Sequence, residues 1–448
     1  MFENLLAQDE AALALSADIE AGRLPPALLF SGPPASGKTT AALELARALS
    51  CSQLALWGCS CPSCSRHRLL VHPDLALLGP RSFPEEIPAA LELLARAPGP
   101  ASAFFFARAV RKLLRRFDAF LYEGEEARLA KAAPLLRELE EELDLVAPER
   151  ATAGPERATA GLLAPGAAEA AAKAALACAK LEAFVPEAPP VFSIRNLEYW
   201  ARLAPLGERK TAIIENADRM LEGSRNAMLK ILEEPPESVR FVLLTSRKSA
   251  IMATILSRAR CCNFVARDAA GTASVLDRIF HSAEPAPSVE AFLAARRPFP
   301  PSAARERAQD FLGAALAARA RSERLCAPLE ALARRAEVEQ GDSRSRSRAL
   351  AALMESTKDF GAKDERFASS FSSFLAALSG LLSSLLREEG MDARGLGIIE
   401  DAAALVREAS LDRSSLNRGP TLLAESLMYE LSRPSRERPG GRSAGVLA

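Results

Sequence analysis

The fold follows from one glycine-rich stretch, Phe30-Ser31-Gly32-Pro33-Pro34-Ala35-Ser36-Gly37-Lys38-Thr39-Thr40. The stretch comes after an apolar run at residues 27–30 and before apolar residues at helical spacing, so the pattern predicts a strand, a loop and a helix. A G-x-x-x-x-G-K-T loop turns successive backbone N–H groups inward and binds phosphate at the helix N-terminus. The residues predicted to bind nucleotide here are Gly32, Ser36, Gly37, Lys38, Thr39 and Thr40.

Within this loop the lysine and the threonine have separate expected roles. Lys38 supplies a positive charge for the β- and γ-phosphates, and the Thr39 hydroxyl is a candidate Mg²⁺ ligand. The ligand expected from the loop is therefore ATP with Mg²⁺. The alternative is a glycine turn that matches the pattern by chance.

Length and charge limit the class of protein. A chain of 448 residues is too long for one ordinary core, and roughly two to four domains are expected. Lys+Arg and Asp+Glu are equal at 57 each, so the chain as a whole has no charge that attracts nucleic acid or a membrane surface. The N-terminus lacks the pattern of a signal peptide, and no apolar run approaches the length of a membrane span. These features predict a cytoplasmic protein with no membrane partner.

Four of the eight cysteines lie close together, at Cys51, Cys59, Cys61 and Cys64. In a reducing compartment such clustering favours a metal over disulfides. Four thiolates suit a closed, structural, tetrahedral Zn²⁺ site, with His67 as a possible substitute ligand. The alternative is a loop of reduced thiols.

The composition changes between about residues 80 and 190, which we interpret as a helical and disordered insertion. Residues 104–121 form a predicted basic helix whose charged face we expect to be solvated and paired, rather than bound to DNA. The acidic helix at about 127–145 is predicted to pair with it as an antiparallel hairpin. The tandem repeat at 148–161 has almost no apolar content and is predicted to be disordered.

An α/β pattern then resumes. Residues 210–214 are apolar and end at the acid Glu215, which predicts a buried parallel strand that places a carboxylate at its C-terminal edge, on the Mg²⁺ side of the nucleotide. Residues 241–245 predict another buried strand, with the Thr245 hydroxyl at its tip. Beyond residue 268 the pattern is helical; the run at 344–348 predicts a charged, solvated loop, and the tail from residue 434 is predicted to be disordered.

Several motifs occur in an order that resembles the AAA+ clamp-loader proteins of bacterial DNA polymerase III. They are residues 2–8, the glycine loop, the cysteine cluster followed by His72-Pro73-Asp74-Leu75, Leu232-Glu233-Glu234-Pro235-Pro236, and Thr254-Ile255-Leu256-Ser257-Arg258. Within that family, residues 213–220 are similar to the delta-prime type of subunit more than to the gamma/tau motor type. The resemblance is dense over residues 1–78 and 191–262 and diffuse over the C-terminal part.

The resemblance implies an α/β AAA+ P-loop module, a parallel sheet with flanking helices, followed by an all-α lid and an all-α collar. The implied domains are 1–262 for the nucleotide-binding domain (with a zinc module at about 51–72 and the insertion at about 80–190), 263–304 for the lid, 305–433 for the collar and 434–448 for the tail. The implied partners are gamma/tau and delta subunits in a heteropentameric ring, and through the ring the sliding clamp and primed DNA.

The resemblance also implies roles for single residues. Arg258 matches the arginine of a Ser-Arg-Cys motif that enters the ATP site of the neighbouring subunit, although residue 259 is Ala here; Arg260 is a second candidate. Glu215 and Asn216 occupy the positions of the motor subunits' Asp-Glu pair. Because Asn cannot act as a base, and a missing base typically costs a factor of ~10²–10⁴, hydrolysis should be very slow. The cysteine spacing departs from the family's C-x8-C-x2-C-x2-C, which makes Cys59 the least secure ligand.

The sequence thus predicts a delta-prime-like stator subunit, with weak or no ATP hydrolysis of its own, that provides Arg258 to a motor subunit. One alternative is a gamma/tau-type motor, which the intact Lys38-Thr39 pair favours. A second is a stand-alone P-loop ATPase, which would have no use for an arginine that acts in a neighbour.

Overall fold

A computed structural model describes residues 1–53, 55–81, 83–146, 165–297, 300–337, 342–355, 365–415 and 420–434. The chain divides into two compact units, Met1–Arg297 and Pro298–Ala448. The tandem repeat at 148–161 and the tail beyond residue 434 lie outside the described residues, so the predictions of disorder there remain predictions.

The first unit is built on a parallel five-stranded sheet with the strand order β2-β3-β4-β1-β5. The strands are β1 (Ala27–Ser31), β2 (Leu75–Leu78), β3 (Lys210–Ile214), β4 (Val239–Thr245) and β5 (Arg260–Asn263). Side chains alternate between two cores: Leu28 and Phe30 face one, and Leu29 faces the other. Burial on both faces explains why β1 to β4 are mostly apolar in sequence.

Helices flank this sheet, as the resemblance implies. In chain order they are α1 (Asp9–Glu20), α2 (Lys38–Leu49), α3 (Pro62–Arg68), α4 (Phe83–Arg96), α5 (Pro100–Leu114), α6 (Glu126–Val146), α7 (Ala167–Leu181), α8 (Val191–Arg202), α9 (Glu222–Glu233), α10 (Ala253–Leu256), α11 (Ala269–Phe280) and α12 (Val289–Ala294). Parallel strands end at a common edge of the sheet, so the loop after β1, Glu215 after β3 and Thr245 at the end of β4 lie along one edge.

The hairpin predicted from opposite charges on consecutive helices is wrong. The acidic helix α6 packs mainly on α7, and the basic helix α5 packs mainly on α4. Buried apolar side chains make these contacts, for example Leu139 and Leu143 of α6 and Ala171 and Ala174 of α7. Apolar burial, rather than charge, therefore decides which helices pair.

The basic face at residues 108–116 is paired, as predicted, but it is partly or fully buried rather than solvated. Arg108 donates to the Arg68 carbonyl at 2.5 Å, and Arg115 donates to the His72 carbonyl at 3.2 Å. Lys112 and Arg116 contact buried carboxylates. The predicted helix also ends early, because α5 stops at Leu114 and two short 3-10 segments follow at Arg115–Phe117 and Ala119–Tyr122.

The described part of the second unit is helical. Its helices are α13 (Pro301–Arg319), α14 (Ala327–Glu337), α15 (Asp342–Glu355), α16 (Glu365–Leu385), α17 (Ala393–Ser415) and α18 (Pro420–Leu431). Its core includes Phe311, Phe374, Leu378 and Leu427. The loop predicted at residues 344–348 is wrong, since these residues lie within α15, where arginine is a good helix former.

Over the described ranges, none of the helices combines the length and the apolar character that crossing a membrane requires.

Candidate nucleotide site and metal centre

The glycine loop lies between β1 and α2, as predicted. Gly37 is the N-cap residue of α2 and has φ +99°, in the left-handed region that glycine adopts without strain. Ser36 is buried, Gly32 donates its N–H to the Thr245 carbonyl at 3.2 Å, and Thr40 is half-buried in the first turn of α2. The left-handed conformation of Gly37 is one that occurs in phosphate-binding nests.

The Lys38 ammonium folds back over this loop. It donates to the carbonyls of Gly32 and Pro33 at 2.6 and 2.5 Å and lies 3.3 Å from the Ser36 hydroxyl. Burial lowers the pKa of Lys38 to about 8, although the charge of Glu215 opposes the shift. A phosphate bound in this loop would give the Lys38 ammonium an anionic partner in place of the neutral carbonyls.

Thr39 and Glu215 are brought together, as expected of two groups on the cation side of a nucleotide. The Thr39 hydroxyl donates to Glu215 Oε1 at 2.5 Å. A third residue, Arg81, contacts both: its Nη1 lies 2.8 Å from Thr39 Oγ1 and 2.6 Å from Glu215 Oε1. The expected magnesium ligands are thus joined by a guanidinium.

Three more residues complete this cluster around Glu215: Arg116, Glu86 and Lys112. Arg116 pairs with the second oxygen, Oε2. Arg81 Nε lies 2.6 Å from Glu86 Oε2, and Lys112 pairs with the other oxygen of Glu86. Burial would raise the pKa of Glu215, but Arg81 and Arg116 hold it below its usual value. Burial would also raise the pKa of Glu86, but Arg81 and Lys112 lower it to about 2.

Asn216 follows Glu215 in the left-handed conformation, with φ 50° and ψ 49°. Its side-chain amide donates to the Pro80 carbonyl at 2.7 Å. An amide used in this way is not available to activate a water molecule, and it has no basic lone pair in any case.

The Thr245 hydroxyl, predicted to contact nucleotide, donates to Asp218 Oδ1 at 2.8 Å. Arg247 pairs with the other oxygen of Asp218 at 2.8 Å. Asp218 is therefore engaged by Thr245 and Arg247, and the structure shows no hydrogen bond between it and the Thr39–Glu215 pair among the described residues.

Arg258 lies just beyond α10, on the surface. Its Nη2 is 3.0 Å from Glu233 Oε1, and its Nη1 donates to the Thr254 carbonyl at 3.0 Å. The Arg258 and Glu233 side chains are 35% and 52% exposed, and such surface pairs are worth only ~0–1 kcal/mol. Arg260, the second candidate, pairs with Asp18.

The four cysteines form one cluster, and all four sulfurs lie within 4.8 Å of one another. Cys51 Sγ is 3.7 Å from Cys59 Sγ and 4.0 Å from Cys61 Sγ. Four sulfurs at ~2.3 Å from a tetrahedral Zn²⁺ would be about 3.8 Å apart, so these residues fit such an ion. All four are free thiols, and Cys59, the least secure predicted ligand, lies with the others.

Arg47 of α2 ties this cysteine cluster to the sheet domain. It pairs with Glu44 at 2.8 Å while both side chains are almost fully buried. Its guanidinium also donates to the carbonyls of Ala55 and Leu56 at 2.9 and 2.7 Å and lies 3.7 Å from Cys64 Sγ. Burial would raise the pKa of Cys61, but hydrogen bonds with the Cys64 N–H and the neighbouring thiols lower it to about 7. A lowered pKa favours the thiolate that a metal requires.

His67 is not part of the cysteine cluster. Its ring stacks on that of His72, with the ring centroids 4.1 Å apart. His72 Nδ1 in turn accepts the Asp74 backbone N–H at 3.1 Å. The two histidines therefore stack as a pair, with His67 on α3 and His72 just beyond the end of this helix.

Sequence reasoning missed Arg81, Glu86 and Arg267. Arg267 donates to the Ala35 carbonyl at 2.5 Å, and a Cβ added at Gly37 would lie 3.0 Å from its Nη2. None of these residues belongs to a motif. An available signal was Arg116, a basic residue directly after a helix rich in buried apolar positions.

Residues 7–124 and 190–268 match a family model described as "DNA polymerase III, delta subunit". The match includes residues 80–124, which lie within the insertion predicted at about residues 80–190. No curated protein matches this sequence.

Among solved structures, the chain is similar to a DNA polymerase III gamma subunit-related protein from Thermotoga maritima. The two are 17% identical, and the similarity covers 56% of this chain and 88% of that chain with a TM-score of 0.25. A TM-score of this size does not establish a common fold. The family model covers a little less than half of the chain, so the match is a similarity over part of it.

Proposed function

We propose that this protein is a delta-prime-like stator subunit of a DNA polymerase III clamp loader. In this role it binds a nucleotide at residues 32–39, hydrolyses it slowly or not at all, and provides Arg258 to the ATP site of a motor subunit. The family match supports the assembly, and the pair Glu215–Asn216 carries the assignment as a stator. Glu215 is engaged by two arginines, and Asn216 donates to a carbonyl, so neither is placed to activate water.

The surface position of Arg258 suits a contact with the ATP site of a neighbouring subunit. Its partner Glu233 is half exposed, so exchanging that carboxylate for phosphate oxygens costs little. A guanidinium is always charged and bridges two phosphate oxygens, which stabilises a phosphoryl-transfer transition state. In the same proposal α11 and α12 form the lid, α13 to α18 form the collar, and the four cysteines hold a structural Zn²⁺.

The test is ATP turnover by a complex reconstituted with gamma/tau and delta subunits. Arg258→Ala should leave assembly intact, as measured by size-exclusion chromatography, and lower turnover by about 10³-fold at the affected site. Arg260→Ala tests the second candidate. Arg202→Ala is the matched control, because Arg202 lies on α8 and pairs with Glu198 at 3.0 Å on the surface. Unchanged turnover with Arg258→Ala, or failure of the wild-type chain to join the complex, would refute the proposal.

One observation favours the gamma/tau-type motor as a second candidate: the loop keeps both Lys38 and Thr39 in place. A motor would hydrolyse ATP in isolation, whereas a stator would not, so turnover by the purified chain separates the two.

A further inference from the structure

The cation side of the nucleotide loop is already occupied by a side chain. In P-loop proteins the loop hydroxyl and a nearby strand-end acid hold Mg²⁺. Here those groups are Thr39 and Glu215, and Arg81 Nη1 lies within 2.8 Å of an oxygen of each. The guanidinium therefore makes the two contacts that the metal would make.

Arg81 is held in this position from behind. Its Nε lies 2.6 Å from Glu86 Oε2, and the Arg81 side chain is only 22% exposed. Burial would lower the pKa of Arg81, but Glu215 and Glu86 raise it, so this group stays charged at every accessible pH. Because two carboxylates hold the Arg81 guanidinium, its position is a defined feature of the pocket.

The residues present do not fit a divalent cation. Glu215 shares its single negative charge between Arg81 and Arg116, and Glu86 shares its charge between Arg81 and Lys112. Three cationic side chains thus face two carboxylates. A Mg²⁺ ion beside Thr39 would add two positive charges to a cluster that already has an excess of one, and it would have to displace Arg81 from both ligands.

We propose that Arg81 takes the place of the divalent cation, so that the loop binds a nucleoside di- or triphosphate without magnesium. Among the described residues Arg81 Nη2 has no hydrogen-bond partner, so its N–H groups are donors for phosphate oxygens. Arg81 thereby determines that the nucleotide binds without a metal ion. The inference rests on the proposed nucleotide site at residues 32–39, but it does not depend on assembly into a clamp loader.

The experiment measures binding of a fluorescent ATP analogue to the full chain, in excess EDTA and in millimolar MgCl₂. The wild-type affinity should be the same in both, within about threefold. Arg81→Ala should weaken binding in EDTA by about tenfold or more, as expected for one lost charge-assisted contact, and magnesium should restore part of the loss. The control is again Arg202→Ala, which should behave as wild type. If Arg81→Ala does not fold, Arg81→Lys keeps the charge and should give an intermediate loss, since lysine lacks the planar fork.

A second readout follows the metal itself. Mn²⁺ bound to protein and nucleotide gives an electron paramagnetic resonance signal distinct from that of Mn²⁺ bound to nucleotide alone. The protein-bound signal should be absent with wild type and present with Arg81→Ala. Tighter wild-type binding in magnesium by tenfold or more, or a protein-bound Mn²⁺ signal with wild type, would overturn this inference and leave the nucleotide site standing. If no nucleotide binds to wild type or Arg81→Ala in either condition, the nucleotide site is refuted and the inference with it.

Discussion

Replacing Arg116 by methionine removes one of the two guanidinium groups that neutralise Glu215, while the apolar stem of the side chain is kept. Glu215 is only 4% exposed, and removing one partner of a buried ion pair typically costs ~3–5 kcal/mol. Arg81 and Thr39 still contact Oε1, so we expect the low end, about 3 kcal/mol. Arg116→Met also loses hydrogen bonds to the Gly79 and Lys112 carbonyls, so the single variant alone does not isolate the pair.

A double-mutant cycle with Glu215→Gln isolates it, because the loss of the carbonyl contacts is common to both backgrounds. Once Glu215 is neutral, Arg116→Met should cost about 1 kcal/mol, which gives a coupling free energy of about 2 kcal/mol. Urea unfolding followed by tryptophan fluorescence measures this, since Trp57 and Trp200 both lie in the first unit.

The coupling should also depend on pH. In wild type the lowered pKa of Glu215 keeps it ionised between pH 5 and 7, and its contribution to stability is lost only when the pH falls through that lowered pKa. In Arg116→Met the pKa should rise above the unfolded value, so the folded variant binds a proton on acidification and is stabilised relative to its unfolded state. The difference from wild type should therefore shrink from pH 7 to pH 5. A coupling free energy near zero, or a difference that does not change with pH, would refute the reasoning.

Three further predictions concern single groups. Metal analysis of the purified chain should find about one Zn²⁺ per molecule, and Cys64→Ser should abolish it; a metal-free wild type would remove the zinc proposal. Affinity for the fluorescent ATP analogue should fall as the pH rises through about 8, where Lys38 loses its proton, whereas Lys38→Arg should keep its affinity over that range; equal pH profiles would contradict this. Gly79 has φ +90°, and a Cβ there would lie 2.2 Å from the Glu215 carbonyl oxygen. Gly79→Ala should therefore lower the free energy of unfolding by about 2 kcal/mol or more. Gly58→Ala is the control and should change it little, because a Cβ at Gly58 would meet no atom within 4 Å.

The strands and the glycine loop could be predicted from the sequence because their signals are local. β1, β2 and β4 are apolar runs buried on both faces, and the loop is a motif with fixed spacing. β5 was not predicted as a strand, since Arg260-Cys261-Cys262-Asn263 is neither apolar nor deeply buried. The cysteine cluster could be predicted because one short stretch of chain, residues 51–64, supplies all of its members.

The cluster around Glu215 could not be predicted, because its members come from distant parts of the chain. Arg81 follows β2, Arg116 follows α5, and Thr39 opens α2. A basic residue spaced along a helix has the same pattern whether it faces solvent or a buried carboxylate, and only packing decides between them. The hairpin prediction was wrong for the same reason. It relied on the surface charge of α6, whereas the buried leucines of α6 decide which helix it packs against.

The most direct test of the account is ATP turnover by the purified full chain alone, with Mg²⁺ and primed DNA, compared with Lys38→Ala. The account predicts that wild type shows no turnover above the Lys38→Ala background, because Glu215 is held by Arg81 and Arg116 and Asn216 is not a base. Turnover that DNA stimulates and that Lys38→Ala abolishes would contradict it.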